Sequence, residues 1–450
     1  MNNSLAYRHN GLSCSRWRNA PKKMASIFHR EDTNEIYGVL DTTMKLRYHE
    51  DKIRPMLDGA ADTIAPITIH FAPTLRCPQR CFFCTYGGAK KDPTQLDMKL
   101  LEAQHYISRL SELGSEGIIF TGGGDPCMHK ELGEMVETCK QQGLAFALQT
   151  NGDGLTPQLA ERILRCDPVY VRISINAGNG QQQRLMTGVD NYEKVLGNLE
   201  SLLRKKHDLK SNTEIAVATV VDIVNYTGLI NLADRLLEME DRITADYKTK
   251  TQINWTIRPV YNYPASKVYN EYQLKSIICN LNTRSIDEAK AFNEFMYNGQ
   301  QTPQYILDKA VHTIEYGIKP LIKERNSEIR VCYPLQKFKT LGTIKEKPYT
   351  QCRAPYFYGF VWPDGVLYPC VENAGNSNFA ICNLKNTDVK DILQLRKGII
   401  EKINNECLSK CSPICAYHEI NMHLNNLANA AETYCPADKN NLVRRDVAFI

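Results

Sequence analysis

The sequence of 450 residues contains no run of about 18 uncharged apolar residues, the shortest that crosses a bilayer as a helix. Its longest greasy runs, such as Ile215 to Val221, are strand-sized, so no membrane span is expected. Charge of one sign is also scarce. The 55 basic residues against 50 acidic ones leave +5, too little for a protein built around a phosphate backbone, and nucleic acid is not indicated. The first 30 residues hold six Lys or Arg and no acid. They lack the apolar stretch of a secretion signal, and Gly11 and Pro21 interrupt any long amphipathic helix. They read as a basic, loosely ordered arm on a cytoplasmic protein. Disorder and collagen are excluded by the 43% apolar fraction, which fills a core in each of two or three domains.

What is plentiful is cysteine, with 16 in a chain too large to need disulfides for want of a core. Cys77, Cys81 and Cys84 fall within eight residues, and Cys352, Cys370, Cys382, Cys407, Cys411, Cys415 and Cys435 fall in the last 105. Such clustering favours thiolates bound to metal in a reducing compartment.

From Ile67 to Arg258 short β-rich runs alternate with amphipathic helical stretches, the pattern of a parallel sheet with crossover helices. Strands are expected at Ile67 to Pro73, Gly117 to Thr121, Leu144 to Thr150, Val169 to Ile175, Glu214 to Val221 and Gln252 to Arg258. Helices are expected at Leu96 to Leu113, Lys130 to Gln142, Gln158 to Arg165, Tyr192 to Lys206 and Tyr226 to Met239. The fold class is therefore α/β, a partial (β/α)6 TIM-like barrel followed by a small cysteine-rich domain. The expected division is a basic preface over 1–65, the barrel over 66–260, a mostly helical connecting segment over 261–345, and the cysteine-rich domain over 346–450. In such folds the chemistry gathers at the C-terminal ends of the strands.

Directly after the first strand comes Cys77-Pro-Gln-Arg-Cys81-Phe-Phe-Cys84. Three thiolates so close together can hold three irons of a 4Fe-4S cluster and leave the fourth open for chemistry. The alternative is a zinc knuckle, which wants a fourth nearby Cys or His; His70, on the strand before the loop, is poorly placed for that. The C-x3-C-x2-C spacing, with Phe83 before the last cysteine, resembles the signature of the radical SAM superfamily. The resemblance implies that the open iron chelates S-adenosylmethionine (SAM), and that one electron cleaves it to a 5′-deoxyadenosyl radical, which takes a hydrogen atom from the substrate.

The later strand ends agree with this. Thr121-Gly122-Gly123-Gly124-Asp125-Pro126 is similar to the family's Gly-Gly-Glu motif, whose glycines let backbone carbonyls approach the SAM ammonium group; Asp125 stands where Glu is usual. Gln149-Thr150-Asn151-Gly152 is a turn that the family often carries. Ser174 and Asn176, two apart on a strand and so on one face, are assigned by the resemblance to the SAM carboxylate and ribose, with Asn176 where Asp is common. Arg258 reads either as a partner for a carboxylate of SAM or substrate or as a structural arginine.

The C-terminal cysteines are similar to the SPASM or shorter twitch extension, which binds auxiliary 4Fe-4S clusters. The full SPASM pattern holds two clusters, and the spacing here is compressed, with six suitable cysteines. The expectation is one auxiliary cluster on Cys352, Cys370, Cys411 and Cys415, with Cys407 and Cys435 in reserve; a structural zinc site is the alternative. Among the isolated cysteines Cys127 is the best placed for a hydrogen-atom donor, although packing is the plainer reading, and Cys14, Cys139, Cys166, Cys279, Cys332 and Cys382 read as small hydrophobes.

These motifs imply a radical SAM oxidoreductase acting on a peptide or on a small polar metabolite such as a sugar or cyclitol, by dehydrogenation, epimerisation or crosslinking, with an electron donor such as flavodoxin or ferredoxin. The competing class is a non-enzymatic iron-sulfur electron carrier or a structural zinc-binding protein.

Overall fold

The computed structural model describes residues 45–81, 83–86, 97–260, 304–341, 346–411, 415–429 and 448. Strands β1 (Thr68–Phe71), β2 (Gly117–Phe120), β3 (Ala145–Thr150), β4 (Tyr170–Ser174), β5 (Glu214–Val221) and β6 (Ile253–Pro259) lie side by side in chain order, all parallel. They are the six strands expected from the sequence, with ends moved by one or two residues. This is the α/β partial barrel of the expected class.

Helix α1 (Glu50–Leu57) precedes the sheet, and α2 (Leu100–Leu113), α3 (Leu132–Gln141), α4 (Pro157–Arg165), α5 (Gly180–Thr187), α6 (Tyr192–Leu209) and α7 (Leu229–Tyr247) lie between its strands. Local chemistry sets where they begin. The Thr156 hydroxyl accepts from the Leu159 amide ahead of Pro157, and the Asn179 side chain accepts from the Gln182 amide, so orphan amides of the first turns of α4 and α5 are satisfied. The helices cover one face of the sheet. On β6, Ile253, Trp255 and Ile257 are fully buried against them, alternating with half-buried Asn254, Thr256 and Arg258 on the inner face.

The barrel is longer than the six strands visible in the sequence. Within 304–341, helices α8 (Gln304–Thr313) and α9 (Lys319–Glu324) are followed by β7 (Ile329–Cys332), which pairs parallel with β6, and by α10 (Leu335–Thr340). At the other edge β8 (Tyr358–Val361) pairs parallel with β1 and forms a hairpin with β9 (Val366–Tyr368), which pairs with β10 (Cys382–Asn383). The cysteine-rich region thus contributes to the same ten-stranded sheet as the barrel. It is not all loops either, since α11 (Val389–Lys402) and α12 (His418–Ala428) pack within it.

The end of the preface joins that region. Leu46, Ile53, Met56 and Ile64 share one buried cluster with Ala354, Phe357 and Leu424. Arg396 on α11, 2% exposed, rivets the two by donating to the carbonyls of Ile64 at 2.8 Å and Pro355 at 2.6 Å. Residues 1–44, and the basic arm read there, lie outside the described residues. At the bottom of the barrel Ala448 is buried among Ile119, Ala147, Val169 and Tyr170, and its carbonyl accepts from the Thr68 hydroxyl at the start of β1. Among the described residues no helix is long and apolar enough to cross a membrane.

Candidate functional site

Three loops meet at the C-terminal ends of β1, β2 and β3. The Gly124 amide donates to Thr74 O at 2.7 Å and the Asp125 amide to Arg76 O at 2.8 Å, which lays the glycine loop against the chain entering the cysteine loop. Two glycines permit this approach. A Cβ on Gly124 would strike the Arg76 backbone, and one on Gly122 would strike the ring of Tyr86, just past Cys84. Arg80, inside the cysteine loop, donates its amide to Thr187 O at the end of α5, at 2.6 Å.

Asp125 binds the third loop. Its Oδ1 accepts from the Cys127 amide and its Oδ2 from the Asn151 amide, at 2.9 and 2.6 Å, while the Thr150 hydroxyl reaches both oxygens. The carboxylate is 4% exposed and acts as a brace between the strand-end loops. Asn151, to which the motifs assign no separate role, turns its side-chain amide to Cys77 Sγ at 3.5 Å. Cys77, Cys81 and Cys84 are all partly exposed, as is Phe83 between them, and Cys81 Sγ lies 3.4 Å from Gln79 Oε1.

Ser174 is the last residue of β4, and Asn176 lies two residues beyond it. Asn176 is buried, and its Oδ1 accepts from the Val220 amide at 2.9 Å, tying the end of β4 to β5. Ser174 is half-buried, with no hydrogen bond among the described residues. His70, on the inner side of β1, stacks on Phe360 of β8, and burial, aided by the charge of Arg172, pushes its pKa down to about 4. It is neutral at pH 7. Cys127 is buried in the main core, and burial, with Asp125 adding, holds its thiol well above the usual range, as a packing residue requires.

Of the C-terminal thiols, Cys352 feels the charges of the other three expected ligands. Burial raises the Cys352 thiol well above its ordinary pKa, and Cys415, Cys370 and Cys411 raise it further, so the four are electrostatic neighbours. Asparagines hold them. Asn404 accepts from the Cys352 amide at 2.7 Å; Asn421 accepts from the amides of Arg353 and Ala354 and points its own amide at Cys352 Sγ, 3.4 Å away. Asn373 does the same for Cys370 at 3.5 Å. Four mutually repelling thiols with amide donors aimed at two of their sulfurs are a donor set suited to a cationic metal or iron-sulfur group. Cys407 sits one turn before Cys411, whose amide donates to its carbonyl, and Cys435 lies outside the described residues, as do Cys14 and Cys279. Among the described residues no group of three or more Cys, His, Asp or Glu is closed into a ready metal cage at either cysteine site.

Sequence reading passed over Glu372. Burial pushes its carboxyl up to about 7 beside Cys415, with Lys347 opposing, and one of its oxygens is buried without a hydrogen bond. Cys139 and Cys166 are core residues, as expected, whereas Cys332 and Cys382 are half-buried on β7 and β10.

Residues 71–222 match the family model of the radical SAM superfamily. This stretch of the barrel is similar to the radical SAM domain, a family that implies a 4Fe-4S cluster and SAM. Among relatives, the chain is 25% identical to the AdoMet-dependent heme synthase of Methanosarcina barkeri over 36% of this chain and 46% of that protein. It is likewise 25% identical to the mycofactocin maturase MftC of Mycolicibacterium smegmatis, over 31% and 34%. The chain thus spans about a third to a half of the length of these curated relatives. Streptococcus suis SuiB bound to S-adenosylmethionine shares the fold, with a TM-score of 0.53 at 14% identity, covering 89% of this chain and 84% of SuiB.

Proposed function

We propose that the chain is a radical SAM oxidoreductase that cleaves SAM reductively, takes a hydrogen atom from a substrate held inside the barrel, and completes a redox modification with the help of an auxiliary 4Fe-4S cluster. The observation that carries this is the convergence of the Cys77–Cys84 loop, the glycine loop and the Asn151 turn at one end of the parallel sheet, locked by Asp125. Bound there, a 4Fe-4S cluster supplies the electron that breaks the SAM sulfonium and releases a 5′-deoxyadenosyl radical.

The chain's own residues do the rest. Cys77, Cys81 and Cys84 would hold the cluster, with Phe83 in the same loop, and Asn151 donates to the Cys77 sulfur. The backbone of Gly122, Gly123 and Gly124 receives the SAM ammonium group, while Asp125 fixes that backbone from behind. Ser174 and Asn176 address the carboxylate and ribose from β4. Cys352, Cys370, Cys411 and Cys415 would hold the auxiliary 4Fe-4S cluster, a group that could supply an acceptor for the substrate electron. This architecture is similar to the SPASM or twitch type. The substrate is a peptide or a small polar metabolite; SuiB has been solved with its precursor peptide SuiA, which supports the peptide side. A flavodoxin or ferredoxin would supply electrons in the cytoplasm.

The test is anaerobic reconstitution, reduction with dithionite in the presence of SAM, and chromatography for 5′-deoxyadenosine. The wild type should form it, and the variant with Cys77, Cys81 and Cys84 all changed to Ala should stay folded without forming it, because the loop lies outside the packed core. Product from that variant would overturn the reading, and a wild type that binds iron but never cleaves SAM would leave an electron carrier.

A further inference from the structure

The inner face of the barrel carries two cations that form no ion pair with a carboxylate among the described residues, although the Tyr170 hydroxyl acts on one of them. Arg172 on β4 and Arg258 on β6 occupy inward register positions, both half-buried, and close enough for the Arg258 charge to act on Arg172. Arg172 lies in register with Gln149 and Ala216, and Arg258 lies nearer the mouth, in register with Val220. Among the described residues neither guanidinium makes a salt bridge or a hydrogen bond.

A structural arginine in this same molecule looks different. Arg396 spends its guanidinium on the carbonyls of Ile64, Pro355 and Tyr358. Nor does the barrel's own acid serve. Glu214, on the inner face at the start of β5, accepts from Asn254, and the cations that act on it are Lys45, Lys206 and Arg330. Thr256, one inward position below Arg258 on β6, has its hydroxyl oxygen buried without a partner. His70 adds no negative charge, being neutral.

Placing like charges together in a partly desolvated cavity is costly unless an anion offsets them. Burial, with Tyr170 opposing and Arg258 adding, pulls the Arg172 pKa down only to about 10, so Arg172 stays charged at neutral pH. Two planar forks and a free hydroxyl suit a carboxylate or a phosphate, which accepts from several donors at once.

We propose that Arg172 and Arg258, with the Thr256 hydroxyl beside them, bind an anionic group of the substrate, a carboxylate or a phosphate, inside the barrel. This deepens the reading of a radical SAM enzyme and rests on it for the fate of the substrate, although not for the binding of the anion.

The test uses the reconstituted enzyme saturated with SAM, titrated calorimetrically with inorganic phosphate and, separately, with succinate in phosphate-free buffer. The wild type should show saturable binding of at least one probe. Arg172→Gln and Arg258→Gln should each weaken it roughly tenfold or more, and Arg172→Lys, which keeps the charge but loses the fork, should fall between. Binding of phosphate alone assigns a phosphorylated substrate, and binding of succinate alone a carboxylate. The proposal is overturned if neither probe saturates a site, if both Gln variants bind like the wild type while melting like it, or if they lose SAM affinity in step with the anion, which would give the arginines to SAM. A wild type that binds the anion but makes no 5′-deoxyadenosine sinks the radical reading and leaves the anion site standing.

Discussion

The Thr150 hydroxyl at the end of β3 sits 2.9 Å from each carboxylate oxygen of Asp125, in the glycine loop that follows the end of β2 at Phe120. One hydroxyl hydrogen shared between two oxygens, with backbone amides on the same oxygens, leaves no slack in the pair. The related enzymes' usual Glu should therefore be a poor substitute here. Asp125→Glu is expected to cost about 1–3 kcal/mol by forcing a methylene into a closed space, and to weaken SAM binding because the glycine backbone moves. Thr150→Ser, which keeps the hydroxyl, should be milder. Thermal unfolding and SAM titration of both variants check this, and wild-type behaviour in Asp125→Glu contradicts it.

Metal content is a second prediction. One site of three cysteines and one of four should take up about eight irons as two 4Fe-4S clusters when the protein is reconstituted without oxygen. Elemental analysis decides it. About four irons with one zinc would remove the auxiliary cluster while sparing the first, and about twelve would bring Cys407 and Cys435 into a third cluster.

His70 makes stability depend on pH. Its pKa is about 4 in the folded barrel against 6.5 when exposed, so the fold is favoured by the neutral ring. That contribution is complete above about 6.5 and is lost as pH falls toward 4, amounting to on the order of 3 kcal/mol. His70→Phe keeps an aromatic face against Phe360 and has no proton to gain. Urea unfolding at neutral pH and at steps down to the acid end should show the wild type losing ground to the variant. Parallel curves would refute the assignment.

At the C-terminal site Asn421 is the residue to change. It is fully buried and accepts from two backbone amides beside Cys352, at 2.7 and 2.8 Å. Asn421→Ala strands both amides and should cost about 2–4 kcal/mol. Cys352→Ala leaves those bonds in place. If the cluster carries the substrate electron, Cys352→Ala should still yield 5′-deoxyadenosine but little product, with a melting temperature near that of the wild type; Asn421→Ala should melt early. A Cys352→Ala variant that lacks the auxiliary cluster and still gives full product yield would end the electron-transfer role.

The six strands β1 to β6 were legible because each is a short β-branched run set between amphipathic stretches, and the spacing of Cys77, Cys81 and Cys84 needs no structure to be seen. Strand β7 was hidden by its length, four residues with Arg330 exposed in the middle, which carry too little periodicity to stand out among helices. Strand β8 was hidden differently. The turn from Trp362 to Cys370 is plain in the sequence, but its partner is β1, nearly 300 residues earlier, and no local pattern reports a pairing at that distance. The same holds for Asp125, Asn421 and Glu372, whose roles come from chain segments brought to them by the fold. Arg172 and Arg258 mark the opposite case, since what distinguishes them is the lack of an ion pair among the described residues, and a sequence cannot display that.

The bond from Thr68 to Ala448 spans 380 positions. Strand β1 is made 380 residues before Ala448, which packs beneath it. Closing so long a loop is slow in a chain that folds as it is made, since distant contacts repay their entropy only at the end. Until then the underside of the sheet, with Ile119 and Tyr170, is open to water, and the newborn barrel is at its most vulnerable to aggregation. Synthesis as far as Ala448 is therefore what lets the underside of this sheet be covered.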